Sequence, residues 1–84
     1  LSTFSLKLEK YDRKRFVVSA KKGQTLLVSS VAKGVGFNLF KGEGDVENTD
    51  MGMIVKLKET GDFVFEVSND TEQDMEFSIT VEIN

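Results

Sequence analysis

The feature that most constrains this chain is a regular alternation of apolar and polar residues. It is clearest near the C-terminal end, where residues 77–83 place an apolar side chain at every odd position, and residues 63–67 show the same pattern. Successive side chains of a β-strand point to opposite faces of the sheet, so the alternation predicts strands with one buried face. No window of about eleven residues shows the period of an amphipathic helix.

Short segments of this kind, separated by glycine-containing turns, divide the whole chain. They cover residues 4–8, 15–20, 25–31, 36–41, 53–57, 63–67 and 77–83. About seven strands at roughly ten-residue spacing are typical of a sandwich or barrel. We therefore predict an all-β chain with no significant helix, in which residues 1–84 form a single antiparallel, jelly-roll-like β-sandwich domain.

Two segments depart from the simple alternation. Residues 25–31 are rich in apolar and β-branched side chains, which predicts a strand covered on both faces. Residues 42–50 contain two glycines and several acidic side chains, and they form the longest stretch without a strand pattern. We predict an irregular loop there.

The acidic side chains of that loop are candidate calcium ligands. Calcium takes about six to eight oxygen ligands. Carboxylates follow one another closely at Glu43, Asp45, Glu47 and Asp50. Their spacing does not match an EF-hand loop, so the alternative to a calcium site is a solvated acidic loop. Apart from this possible calcium ion, we expect no cofactor.

The side chains that most enzymes use for catalysis near neutral pH are missing. The chain has no histidine and no cysteine, which removes the usual general base, the thiolate nucleophile and the usual zinc ligands. Serines and threonines occur without a recognisable activating base, and no two carboxylates stand out as a hydrolytic pair. We expect a protein that is not an enzyme. No apolar run approaches the roughly 20 residues of a membrane span.

The net charge of −3 conceals a strong asymmetry between the two halves of the chain. Residues 1–42 carry nine basic and two acidic side chains, whereas residues 43–84 carry two basic and twelve acidic ones. One interpretation is that strands from the two halves pair, so that opposite charges face each other across the sheets. The other is a dipolar surface that steers a charged partner. Nucleic acid is not expected as a partner, because the acidic half would repel phosphate.

Four residues are candidates for binding a partner: Tyr11, Arg13, Arg15 and Phe40. The first three belong to a basic run at residues 10–15, which could be a charged edge strand or a patch that meets an acidic partner with Tyr11 as an aromatic anchor. If Phe37 and Leu39 face the core, Phe40 faces outward or toward a second layer. An outward phenylalanine would suit contact with a protein or a sugar ring.

Two stretches of sequence resemble a known family. Residues 11–26, from Tyr11 through Lys22-Gly23-Gln24 to Leu26, resemble a sequence element of the bacterial pre-peptidase C-terminal β-sandwiches. The periplasmic inhibitor of g-type lysozyme carries the same element. Residues 57–67 are similar to a hairpin that both groups share, and residues 37–40 fit a strand between them. The resemblance covers roughly residues 11–84, and the inhibitor's middle segment and final hairpin are longer than those of this chain.

The resemblance implies an exported, non-catalytic binding domain that is periplasmic or secreted. Its protein partner would be a lysozyme-type cell-wall hydrolase, although no inhibitory residue carries over. The alternative is a polysaccharide- or collagen-binding module of a secreted hydrolase, in which Tyr11 and Phe40 stack on the ligand and the acidic loop holds calcium. A third possibility is an assembly domain that pairs through an exposed edge. We expect a monomer or a weak dimer.

Overall fold

The computed structural model describes residues 2–84, which form eight antiparallel strands. They are β1 Ser2–Leu8, β2 Arg13–Ala20, β3 Thr25–Ser29, β4 Val35–Lys41, β5 Gly44–Asn48, β6 Gly52–Leu57, β7 Gly61–Asn69 and β8 Met75–Ile83. The described residues contain no helix, and therefore none that is long and apolar enough to cross a membrane. The predicted all-β class is confirmed, with one strand more than the sequence indicated.

The strands form two sheets, one of five strands in the order β1-β8-β3-β6-β5 and one of three in the order β2-β7-β4. A jelly roll places alternate strands in opposite sheets and pairs the first strand with the last. The present order follows that scheme from β1 to β4 and from β6 to β8. The predicted jelly-roll-like sandwich is therefore present, except that β5 extends the larger sheet beside β6.

The additional strand, β5, lies in the segment that was predicted to be an irregular loop. Val46 faces Val55, and Asp45 faces Lys56, in a regular antiparallel ladder. The prediction was wrong because the segment has only one apolar residue, so alternation is nearly invisible in its sequence. The backbone hydrogen bonds of β6 hold it in place instead, and as an edge strand it needs little buried surface.

The core lies between the sheets and is made by the inward residues that the alternation predicts. The largest fully buried side chains are Phe63, Phe65, Leu26, Met53, Ile79, Val28, Val55 and Val67. The two phenylalanines come from β7, the central strand of the smaller sheet. Central position and burial together explain why the pattern in residues 63–67 is so regular.

Strand β3 corrects a second expectation. The segment 25–31 was predicted to be covered on both faces, but only Leu26 and Val28 are fully buried within β3, while Leu27 is half-buried on the outer face. The strand ends at Ser29, and Val31 beyond it is 86% exposed. Apolar content alone indicates a strand but not how many of its faces are covered.

The charged halves of the chain meet through strand pairing, as the first interpretation of the charge asymmetry predicted. Strand β1 pairs with β8 and β2 pairs with β7. Three of the four ion pairs among residues 2–84 consequently join a basic residue of the first half to an acidic residue of the second: Lys7–Glu76, Arg13–Glu66 and Arg15–Glu66.

Candidate functional site

The outer face of the three-stranded sheet gathers most of the predicted binding residues. Phe16 and Val18 of β2 pack against the core, so the intervening odd-numbered residues Arg13, Arg15 and Val17 face away from it. On β7 the outward positions directly opposite Arg15 and Val17 are Glu66 and Val64. Residues directly opposite each other in an antiparallel pair share a face.

Glu66 lies at the centre of this face and is only 9% exposed. Arg15 Nε donates a hydrogen bond of 3.0 Å to Glu66 Oε2, and Arg13 Nη1 lies 3.8 Å from Oε1. Burial of an ionised carboxylate is unfavourable unless cations and hydrogen bonds compensate it. Two arginines on the neighbouring strand supply that compensation, and Glu66 in return fixes the position of Arg15.

Phe40 joins the cluster through a β-bulge in β4. Leu39 pairs with Phe65 and Lys41 pairs with Val64, so Phe40 is the extra residue between two regular pairs. Its ring centroid lies 3.7 Å from Cζ of Arg15, which is within the range of a cation–π contact. Phe40 is 52% exposed, and it faces outward, which was one of the two orientations predicted for it.

We use the name outer-face cluster for Arg13, Arg15, Val17, Phe40, Lys41 and Glu66. Lys41 belongs to it because it pairs with the outward residue Val64. Three of the predicted binding residues, Arg13, Arg15 and Phe40, therefore lie together on one face. Sequence reasoning missed the other three members, Val17, Lys41 and Glu66. All three lie in recognised strands, but no sequence signal showed which strands would be neighbours.

Tyr11, the fourth predicted binding residue, lies in the turn between β1 and β2 rather than in the cluster. It is 60% exposed and is the only non-glycine residue in the described chain with a positive φ, 57°. Backbone hydrogen bonds hold the turn on both sides, from Asp12 N to Glu9 O at 3.0 Å and from Asn69 N to Asp12 O at 2.9 Å. The aromatic ring is thus presented from a well-fixed turn near the Arg13 end of β2.

The four predicted calcium ligands do not form a cage. Asp45 and Glu47 lie on β5, and Asp45 Oδ1 forms an ion pair of 3.0 Å with Lys58 Nζ. Among residues 2–84, no group of three or more acidic, histidine or cysteine side chains is placed to hold a metal ion. Calcium binding stays a prediction without geometric support. We expect millimolar calcium to leave the melting temperature unchanged, as for a solvated acidic segment, and a clear rise would contradict that expectation.

Fold and cluster together define a small jelly-roll-like β-sandwich that presents arginine, phenylalanine and a covered glutamate on its smaller sheet. No family model matches the sequence, and no curated protein matches it. Three solved structures do share the fold over 99% of this chain: PliG from Salmonella Typhimurium, a mutant of PliG from Escherichia coli and PliG from Aeromonas hydrophila. Each is described as a periplasmic lysozyme inhibitor of g-type lysozyme.

The similarity is strong in structure and weak in sequence. The TM-scores are 0.76, 0.74 and 0.76, the identities are 19%, 18% and 18%, and the alignments cover 90%, 86% and 85% of the three neighbours in the same order. At such identities the likeness establishes the fold. The resemblance to the lysozyme inhibitor is confirmed at that level, while the broader pre-peptidase label has no matching family model.

Proposed function

We propose that this protein is an exported, non-catalytic inhibitor that binds a lysozyme-type cell-wall hydrolase by surface contact. The observation that carries the proposal is the match of the whole sandwich, at TM-scores of 0.74–0.76, to three periplasmic inhibitors of g-type lysozyme. The same neighbours support a periplasmic location for this chain. The absence of histidine and cysteine from the sequence agrees with action by contact rather than by chemistry.

The outer-face cluster supports a protein as the partner. Arginine and aromatic residues are the side chains that contribute most binding energy at protein interfaces, particularly where they are already held in position. In this cluster Arg15 is held by both Phe40 and Glu66. The polysaccharide alternative gains no support from the three structural neighbours, and Arg15 already covers one side of the Phe40 ring that would have to stack on a sugar.

An inhibition assay tests the proposal directly. Purified protein is added to g-type and c-type lysozymes acting on a bacterial cell-wall suspension, and its affinity for each enzyme is measured by calorimetry. We expect inhibition of at least one lysozyme at micromolar or lower concentration, accompanied by binding of the intact enzyme. Absence of both binding and inhibition at micromolar concentration, for both enzyme types, would reject the proposal.

A further inference from the structure

Arg15 is held in a single orientation by two independent contacts. Its guanidinium lies over the ring of Phe40 at 3.7 Å, and its Nε donates to Glu66 at 3.0 Å. That is the one hydrogen bond that the Arg15 side chain donates within residues 2–84. A guanidinium has five N–H donors, so four are left for another molecule, and the side chain is 49% exposed.

Within the outer-face cluster, the exposed charges are all positive. Arg13, Arg15 and Lys41 are exposed, whereas the single carboxylate of the cluster, Glu66, is nine-tenths buried beneath the arginines. Two apolar side chains adjoin these cations, Val17 at 65% and Phe40 at 52% exposure. A partner approaching this face meets cationic groups next to apolar surface, and its own complementary group is therefore an anion beside an apolar contact.

We propose that the outer-face cluster binds a carboxylate-bearing acidic segment of a protein partner, with Arg15 as the principal donor. A guanidinium fork matches a carboxylate with two parallel hydrogen bonds, a geometry that the ammonium of lysine does not reproduce. Because Phe40 and Glu66 already fix the fork, little side-chain freedom is lost on binding. The proposal names the surface and partner chemistry of the proposed inhibitor function, and it rests on that function for the identity of the partner.

The first experiment does not depend on any lysozyme. Poly-L-glutamate and, separately, poly-L-lysine are titrated into isotope-labelled protein and followed by NMR. We expect poly-L-glutamate to shift the Nε signal of Arg15 and the amide signals of residues 13–17 and 40–41, and poly-L-lysine to leave them unchanged. Equal shifts at Lys21, Lys22 and Lys33, or no shifts at all, would overturn the assignment of the surface.

The second experiment uses a lysozyme that the wild-type protein inhibits. We expect Arg15→Glu to weaken binding by more than about tenfold and Arg15→Lys by several-fold, since the latter keeps the charge but loses the fork. Phe40→Ala removes the ring that holds the Arg15 guanidinium without changing the charge. It serves as the second test if the Arg15→Glu variant does not fold. Lys33→Glu is the matched control, because Lys33 is exposed in the β3–β4 connection, and its effect should stay below about twofold.

The two proposals fail in different ways. If the wild type inhibits lysozyme but Arg15→Lys and Phe40→Ala bind as tightly as the wild type, the surface is wrong and the inhibitor function stands. If the wild type binds no lysozyme, the inhibitor function fails, and the poly-L-glutamate titration alone decides whether the outer-face cluster recognises carboxylates.

Discussion

Asn69 joins two loops that have no secondary structure of their own. Its side-chain nitrogen lies 3.2, 3.1 and 2.7 Å from the carbonyl oxygens of Leu8, Glu9 and Gln73, so one of its two N–H groups is shared between two acceptors. Its oxygen accepts from the backbone N–H and the hydroxyl of Thr71. The residue is 1% exposed. Buried backbone carbonyls need hydrogen-bond donors. In the β1–β2 turn and the β7–β8 loop, where no neighbouring strand supplies them, the side chain of Asn69 does.

Replacing this residue should therefore be costly. We expect Asn69→Asp, which keeps the size but cannot donate to three carbonyls, to lower the free energy of unfolding by roughly 3 kcal/mol or more. Urea unfolding followed by far-UV circular dichroism measures the change. Asn48→Ala is the control, because Asn48 is exposed on the edge strand β5 and should cost less than about 0.5 kcal/mol. Similar losses for both variants would show that the hydrogen bonds of Asn69 contribute little.

Glu66 differs from the other ion-paired glutamate, Glu76, in burial. The Glu66 side chain is 11% exposed beneath two arginines, whereas Glu76 and its partner Lys7 are 63% and 81% exposed. We expect Glu66→Gln to lower the free energy of unfolding by about 1–2 kcal/mol. This is less than the loss on breaking a fully buried ion pair, because both arginines remain partly solvated and screened. Glu76→Gln should cost less than about 0.5 kcal/mol. Chemical unfolding of the two variants compares them directly, and equal costs would contradict the packing described for Glu66.

At the scale of elements, the β4–β5 connection depends on a glycine. Gly42 has a φ of 109°, a backbone conformation that residues with a side chain rarely adopt. A Cβ at this position would also collide with the ring of Phe63 in the core. Gly23, in the β2–β3 turn, has a φ of 92° but open space around it. The two glycines thus share a backbone requirement and differ in the packing that a methyl group would disturb.

This contrast gives a paired prediction. Gly23→Ala should lower the free energy of unfolding by about 1–2 kcal/mol, which is the cost of placing an alanine at a positive φ. Gly42→Ala should cost roughly 1–3 kcal/mol more than that, because Phe63 has to move within a packed core. Thermal and urea unfolding of the two variants supply the difference. If Gly42→Ala lowers the free energy of unfolding no more than Gly23→Ala does, Gly42 does not pack against Phe63 as described.

Strands with a buried face could be predicted from the sequence, and those without one could not. Residues 63–67 and 77–83 are recognisable as strands because every second side chain enters the core. Strand β5 has all of Asp45–Asn48 exposed, so its formation depends on a neighbour, β6, that lies next to it only in the folded chain. Likewise, Arg13, Arg15 and Phe40 were recognisable as candidate binding residues, but their meeting over Glu66 depends on strand order and on a bulge that alternation does not encode.

At the scale of the whole molecule, the topology is almost entirely non-local. The N-terminal strand β1 pairs with the C-terminal β8, and β2 pairs with β7. Among the described strands, only β5 and β6 are consecutive in the chain and paired in a sheet. Such sandwiches fold slowly, in milliseconds to seconds, because long loops must close before native contacts repay the lost entropy.

Slow folding can come from non-local topology or from proline isomerisation. The sequence contains no proline, so only the first cause applies to this chain. Proline isomerisation adds phases of about 10–100 s to refolding. We therefore expect a single exponential phase faster than about 10 s when urea-unfolded protein is diluted into buffer, followed by stopped-flow circular dichroism because the chain has no tryptophan. In a double-jump experiment, the amplitude and rate should be independent of the time spent unfolded, since there is no isomer to equilibrate. A slow phase that grows with that delay would require a different kinetic trap, and a concentration-dependent slow phase would identify it as association through the open strand edges.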